Sequence, residues 1–87
     1  MNWSICFFNG RVQKDIQKWP VGVYADFLRL ASLLELYGTD LRLPHSRAMG
    51  AGLFELRCHG SDGIGRAFYC TMRGKRIVIL HGFIKKT

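Results

Sequence analysis

The sequence has no long hydrophobic run, no paired cysteines and few acidic residues. No apolar stretch approaches the roughly 20 residues of a membrane-spanning helix. The N-terminus MNWSICFFNG lacks a basic leader and a cleavage site, so no secretory signal is expected. Cys6, Cys58 and Cys70 are odd in number and form no CxxC pair, which favours a reducing cytoplasm over a disulfide framework. Because Cys58, His59 and Cys70 lack a second ligand pair, we expect no metal and no cofactor.

Positive charge is what the chain has in excess. Thirteen Lys and Arg residues against six Asp and Glu residues give a net charge of +7 over 87 residues. Nine of the cationic residues but only two of the acidic ones follow Asp40. Such an excess on one small domain, here expected to span residues 1–87, favours a polyanionic partner, above all nucleic acid. A basic surface that only serves solubility is the alternative.

The first half of the chain predicts one strand and two helices. Residues 3–8 are aromatic and β-branched and end at Asn9-Gly10, as in a short strand. A helical segment follows and is stopped by Pro20. Residues 21–38 form the clearest helix, with Gly38 at its end. The expected core residues of these helices are Val12, Ile16 and Trp19, then Tyr24, Phe27, Leu28, Ala31, Leu34 and Tyr37.

The second half predicts a loop and then a three-stranded meander. Residues 39–52 are turn-rich and basic, which is typical of a loop. The segments LFELRCH, GRAFYCTM and RIVILHGF then alternate with period two and are separated by GSDG and RGK turns. The order β-α-α-β-β-β predicts an α+β fold in which an antiparallel meander packs on a two-helix hairpin.

Hairpin pairing predicts a row of charged residues across the sheet. If Ser61-Asp62 form the first turn, Arg57 lies opposite Arg66, and a turn at Arg73-Gly74 places His81 opposite Arg66. Glu55 shares their face. Like charges directly opposite are unfavourable for folding, so this placement indicates phosphate binding. An ordinary ion pair of Arg57 with Glu55 or Asp62, a solvated strand end at Arg66 and a structural histidine are the alternatives.

The strand order, together with GLFELR, GRAFY and IVILHGFIKKT, resembles RelE/HigB-type toxins, and phage-derived HigB-like proteins in particular. The resemblance covers nearly the whole chain. It implies a metal-independent mRNA endoribonuclease that inhibits translation, usually on the ribosome, in which a ribose 2′-hydroxyl attacks the adjacent phosphate. It also implies a small helix-turn-helix antitoxin as partner and the bacterial cytoplasm as location.

The resemblance implies several catalytic residues. Arg66 matches the arginine of the family's R-[LA]-x-Y strand, Arg57 falls at a basic position, and a cation is expected at Lys85 or Lys86. Because side chains alternate along a strand, Lys85 and not Lys86 should share the face of His81, whereas the resemblance favours Lys86. A bulge at Gly82 would shift the alternation by one residue and bring Lys86 to that face. His81 or Glu55 is the candidate proton acceptor.

Other expectations concern the loop, the last turn and the C-terminus. His45 and Arg47 in the loop, and Arg73 and Lys75 near the last turn, are candidate RNA contacts; for the loop, a plain solvated connection is the favoured interpretation. Members usually continue into a C-terminal helix that this sequence lacks, and its absence would expose the sheet to self-association. A non-catalytic module that binds nucleic acid or the ribosome is therefore the alternative function.

Overall fold

The computed structural model of the protein describes residues 2–85 and confirms the α+β class. A strand and two helices precede four further strands. In chain order the elements are β1 (Ser4–Phe7), α1 (Gly10–Gln17), α2 (Val21–Tyr37), a 3-10 turn (Gly38–Asp40), β2 (Ser46–Gly50), β3 (Leu53–Gly60), β4 (Gly63–Met72) and β5 (Arg76–Lys85).

The strands within residues 2–85 form one sheet in the order β1-β5-β4-β3-β2. β1 is parallel to β5, and the other neighbours are antiparallel. The prediction of a loop over residues 39–52 was therefore wrong at β2, and the meander has four strands instead of three. Ala51 and Gly52 both have positive φ, which is the backbone of a tight two-residue hairpin turn and explains how β2 connects to β3.

Local signals set the helix ends where the sequence predicts them. The side chain of Asn9 caps α1 by accepting a hydrogen bond of 3.0 Å from the Val12 amide. Pro20 separates the two helices. α2 ends at Gly38, which has a φ of +53°, and a Cβ there would collide with the indole of Trp3. Glycine is therefore required at this position for both backbone and space.

α2 buries a face rotated from the predicted stripe. Phe27 and Leu34 are buried as expected, but Val23 and Leu30 complete the buried face, while Leu28 and Tyr37 are exposed. The buried positions recur every three to four residues, which is the spacing of a helix that lies along a sheet. The predicted stripe included Leu28 and Tyr37 and left out Val23 and Leu30, so it was centred on the wrong side of the buried face.

Both helices pack on the same side of the sheet. Their buried residues join Leu56, Cys58, Ala67, Tyr69, Ile77 and Ile79 of the strands in one cluster. A Cβ at Gly65 would lie 2.5 Å from the ring of Trp19, so this helix connection sits directly on the strand backbone. The other side of the sheet faces away from the helices. No helix within residues 2–85 is long and apolar enough to cross a membrane.

Candidate functional site

We call the side of the sheet that faces away from the helices the open face; it carries Glu55, Arg57, Arg66, His81 and Lys85. Side chains alternate between the two sides of a strand. On β5 the open-face residues His81, Phe83 and Lys85 are exposed, while the helix-face residues of β5 are buried or half-buried. The predicted charged residues thus share one face of the sheet.

Two arginines occupy the middle of this face. Arg57 of β3 lies directly opposite Arg66 of β4, as the Ser61-Asp62 turn predicts. The Arg57 amide donates a hydrogen bond of 2.8 Å to the carbonyl of His45, which extends the β2–β3 ladder and places His45 beside Arg57. A row of basic residues therefore runs from His45, just before β2, through Arg57 of β3 to Arg66 of β4. Phe83 of β5 ends the row opposite Arg66.

His81 lies one row away from the predicted position. The sequence predicts that it faces Arg66, but its partner across β4 and β5 is Phe68. The turn has three residues, Arg73-Gly74-Lys75, instead of two, and a bulge at Leu80 adds a second shift. A total shift of two keeps His81 on the open face. The bulge also lies at Leu80, and not at Gly82 as predicted.

The second row holds the one carboxylate of the site. Arg47 of β2 pairs with Glu55 of β3, and Glu55 lies opposite Phe68, which in turn pairs with His81. Arg66 and Glu55 are diagonal neighbours across β3 and β4. Arg66 is also flanked diagonally on β5 by His81 and Lys85, so it is the centre of the arrangement.

Glu55 is almost completely buried although it lies on the open face. Its exposed fraction is 1%. Its Oε2 accepts a hydrogen bond of 3.0 Å from Nη1 of Arg66, while its Oε1 lies 3.8 Å from Nε of Arg57. Within residues 2–85, Glu55 Oε1, Arg57 Nε and Arg66 Nε are buried without a hydrogen-bond partner. The carboxylate thus lies between both arginines, whose side chains keep exposed fractions of 32% and 21%.

The remaining predicted residues divide into near and far groups. Lys85 pairs with Ile64 and shares the face of Arg66, as strand parity predicts. Lys86 lies outside the described residues. Arg73 and Lys75 sit in the β4–β5 turn, about 23 Å along β4 from Arg66 at the usual rise per residue. The structure therefore does not bring Arg73 and Lys75 to the arginine pair.

Two titratable groups of the strands lie on the helix side. Burial raises the pKa of Tyr69, against the smaller opposing effect of its hydrogen bond with Ser46. Burial, with a lesser contribution from nearby Asp26, raises the pKa of Cys58 to about 12. Both groups are thus held neutral inside the core and face away from the arginine pair. In residues 2–85 no three His, Cys, Asp or Glu side chains cluster as metal ligands.

Two side-by-side guanidinium groups are suited to phosphate. Arginine donors bind phosphate oxygens in a bidentate manner, and His45, Arg47 and Lys85 add cationic or polar groups around them. The exposed imidazole of His81 lies diagonal to Arg66, and imidazole is a common general acid or base. The open face thus combines phosphate ligands with a neighbouring acid–base group.

The family model described as phage derived protein Gp49-like matches residues 14–87, and this match includes every residue of the arrangement above. The chain belongs to the Gp49-like family. This family is of RelE/HigB type, so the resemblance in the sequence is confirmed at the level of family. No curated protein sequence matches the chain.

The Gp49-like chain also has the RelE fold. It is similar to a chain in the crystal structure of the archaeal RelE–RelB complex from Pyrococcus horikoshii OT3, with a TM-score of 0.68 and 24% sequence identity. The similarity covers 97% of this chain and 96% of that chain. At this identity the comparison establishes the fold.

β2 is the part of the site that sequence reasoning missed. His45 and Arg47 were interpreted as loop residues, whereas pairing with β3 places them beside Arg57 and Glu55. The segment Gly50-Ala51-Gly52 directly before a strand was the available signal, because glycines around a short connection are typical of a hairpin.

Proposed function

We propose that this Gp49-like chain is the toxin of a toxin–antitoxin pair and cleaves messenger RNA on the ribosome without a metal. The observation that carries the proposal is the directly opposed pair Arg57–Arg66 in the middle of an accessible sheet face. Opposed like charges disfavour folding, and Glu55 offsets only one of these two positive charges, so a further, functional anion is the simplest reason to keep the pair. RNA presents such anions as a regular chain of phosphates.

The proposed reaction uses groups of the chain, the RNA and solvent water. The ribose 2′-oxygen forms a bond to the adjacent phosphorus while the bond from phosphorus to the 5′-oxygen breaks. His81 accepts the 2′-hydroxyl proton, and a water molecule donates a proton to the leaving 5′-oxygen, so the products are a 2′,3′-cyclic phosphate and a 5′-hydroxyl. Arg57 and Arg66 bind the phosphate oxygens and stabilise the charge that develops on them. Lys85, or Lys86 in the undescribed terminus, adds to this stabilisation.

We favour His81 over Glu55 as the proton acceptor. His81 is exposed, whereas Glu55 is 1% exposed and already hydrogen-bonded to Arg66. A group that receives a proton must come within hydrogen-bond reach of the substrate. We assign Glu55 the role of a positioning residue that orients the two guanidinium groups.

An antitoxin and a cytoplasmic location belong to the same proposal. The similar archaeal RelE chain occurs in complex with RelB. A chain with the same fold and a strongly basic second half is suited to a small antitoxin that covers the cationic face. Messenger RNA and ribosomes are the other partners that the proposal requires.

A non-catalytic binder is the second candidate function. The observation that favours it is the ion pair of Arg66 with Glu55, which neutralises part of the charge that a transition state would use. In this case the open face binds ribosomal or messenger RNA through phosphate contacts. Translation then stops because the RNA is blocked, without cleavage.

The test is induced expression in a bacterial host, followed by primer extension on an abundant messenger. The chain, Arg66→Ala, His81→Ala and a control, Arg11→Ala, are compared. Arg11 is exposed on α1, on the other side of the sheet. We expect new 5′ ends inside translated codons with the unchanged chain and with Arg11→Ala, and none with the other two variants.

The other outcomes separate the two candidates. Growth arrest without new 5′ ends would support the binder and contradict cleavage. Cleavage that persists in Arg66→Ala would contradict the proposed site. Neither arrest nor cleavage from folded, expressed chain would contradict both functions.

A further inference from the structure

Three rings form a contiguous aromatic surface on the open face. The ring centroids of Phe68 and Phe83 are 5.9 Å apart, and those of His81 and Phe83 are 5.8 Å apart. The rings are tilted by 35° and 31° to one another. This aromatic surface, consisting of Phe68, His81 and Phe83, spans the two central strands β4 and β5.

Phe83 is exposed at a place where a phenylalanine is costly. Its exposed fraction is 38%, and it pairs with Arg66 of β4, whereas β1 pairs with β5 only from Arg76 to Ile79. Burial of an aromatic side chain stabilises a fold, and part of that stabilisation is lost at Phe83. The same strand buries Ile77 and Ile79 on the helix side. The apolar residues of β5 that serve the core are therefore buried, and Phe83 is not one of them.

Phe83 also stands directly beside the proposed phosphate ligands. It lies opposite Arg66 across β4 and β5. Directly opposed residues have Cβ atoms about 4.5–5.5 Å apart. A phosphate bound to Arg66 and a nucleobase stacked on Phe83 could therefore belong to one nucleotide. Sites that bind single-stranded RNA commonly combine guanidinium groups, which contact phosphates, with aromatic side chains, which stack on bases.

We propose that Phe83, supported by Phe68 and His81, is a stacking platform for a nucleobase of single-stranded RNA adjacent to the phosphate on Arg57 and Arg66. This inference rests on the proposed function and names the substrate subsite. Charge complementarity of the neighbouring arginine pair selects RNA over an apolar peptide as the occupant. Stacking uses the face of a base, which all four bases possess, so the platform binds without strong sequence preference.

The experiment is a binding cycle with an RNA that cannot be cleaved. A short single-stranded RNA with 2′-fluoro groups at every ribose is labelled, and its affinity is measured by fluorescence anisotropy. A set of oligonucleotides carries one abasic position each. The chain and Phe83→Ala are titrated with the intact RNA and with each abasic RNA. The cycle separates stacking from every other effect of the substitution.

We expect Phe83→Ala to weaken binding of the intact RNA by about 5- to 150-fold, since base–aromatic stacking contributes about 1–3 kcal/mol and 1.4 kcal/mol is tenfold. One abasic position should cost the unchanged chain a similar factor and should cost Phe83→Ala almost nothing. Phe83→Tyr keeps an aromatic face and should bind like the unchanged chain. Tyr37→Leu, which removes an exposed ring from the end of α2, is the matched control and should have no effect.

The results that overturn the inference are distinct from those that overturn the proposed function. Equal losses from the abasic position in the chain and in Phe83→Ala would show that no base stacks on this ring. Full affinity in Phe83→Leu would show that only apolar area is needed, as for a protein partner. If the unchanged chain and Arg66→Ala both fail to bind the RNA, RNA recognition itself fails, and the platform fails with it.

Discussion

The buried carboxylate of Glu55 should stabilise the fold although it lies on the face that we assign to RNA. We expect Glu55→Gln to lower the free energy of unfolding by about 1.5–3 kcal/mol, the usual contribution of a hydrogen bond to a charged group. The substitution keeps the shape of the side chain and an acceptor for Arg66, but removes the anion between Arg66 and Arg57. The two arginines would then face each other without compensation.

Opposing effects determine this magnitude. Removing one partner of a fully buried ion pair costs about 3–5 kcal/mol, but releasing a buried carboxylate also relieves a desolvation penalty of several kcal/mol. The side chains of Arg57 and Arg66 keep exposed fractions of 32% and 21%, so water screens their charges and reduces the loss. The net cost is therefore expected below the range for a fully buried pair.

A second substitution separates repulsion from loss of a hydrogen bond. Glu55→Gln/Arg57→Gln removes one of the two opposed arginines, so it should recover about 1 kcal/mol relative to Glu55→Gln alone. Salt at about 0.5 M should reduce the cost of Glu55→Gln, because like-charge repulsion at a partly exposed site is screened. Glu35→Gln, at an exposed carboxylate of α2, is the matched control and should change stability by less than about 0.5 kcal/mol.

Urea unfolding at low and high salt measures these differences in stability. The slope of the unfolding free energy against urea concentration should be the same for all variants, which shows that their denatured states are comparable. A cost of Glu55→Gln no larger than that of Glu35→Gln would refute the idea that the carboxylate holds the arginine pair. A double variant no more stable than Glu55→Gln alone would refute repulsion between Arg57 and Arg66.

Three further predictions concern the helix side of the sheet. Gly65→Ala should cost more than about 2 kcal/mol in urea unfolding, since its Cβ would lie 2.5 Å from an indole carbon, whereas Gly22→Ala has room in α2 and should be tolerated. The raised pKa of Cys58, about 12, means that the unfolded chain loses this proton at lower pH than the folded chain. Stability should therefore fall as the pH rises from 9 toward 12, by at most about 1.4 kcal/mol per pH unit, and unfolding at pH 8.5 and 10.5 should show a smaller fall for Cys58→Ala. Tyr69→Phe and Ser46→Ala should each cost about 1–2 kcal/mol and together less than their sum, because both break the same buried hydrogen bond.

The sequence was sufficient to predict the structure where a short local motif allows only one conformation. Gly60 and Gly63 around Ser61-Asp62 specify a two-residue turn, and this alone places Arg57 opposite Arg66. Pro20 and Gly38 mark the ends of α2 for equally local reasons. The arginine pair could therefore be predicted without knowledge of the tertiary structure.

The burial of Glu55 could not be predicted in the same way. Pairing shows that it shares a face with Arg57 and Arg66, but its exposure depends on how the surrounding side chains cover it. The position of β2 beside β3 is part of that surrounding structure, and β2 was interpreted as a loop. The hypothesis that Glu55 is a candidate proton acceptor was therefore based on its shared face alone, without knowledge of its burial.

The bulge at Leu80 shows how the last strand serves both faces of the sheet. Strict alternation along β5 would place Ile77, Ile79, His81 and Phe83 on one side. The core residues Ile77 and Ile79 would then share a face with the exposed His81 and Phe83. The extra residue reverses the alternation, so the isoleucines pack on the helices while His81, Phe83 and Lys85 face outward.

The same reversal explains the glycine that follows His81. It turns Gly82 toward the helices, where a Cβ would lie 2.7 Å from Ile16. A side chain at this position would push α1 away from the strand, so the close approach of helix and strand depends on glycine here. The bulge and Gly82 therefore act together: one turns the polar end of β5 toward the open face, and the other lets the helices close over its back.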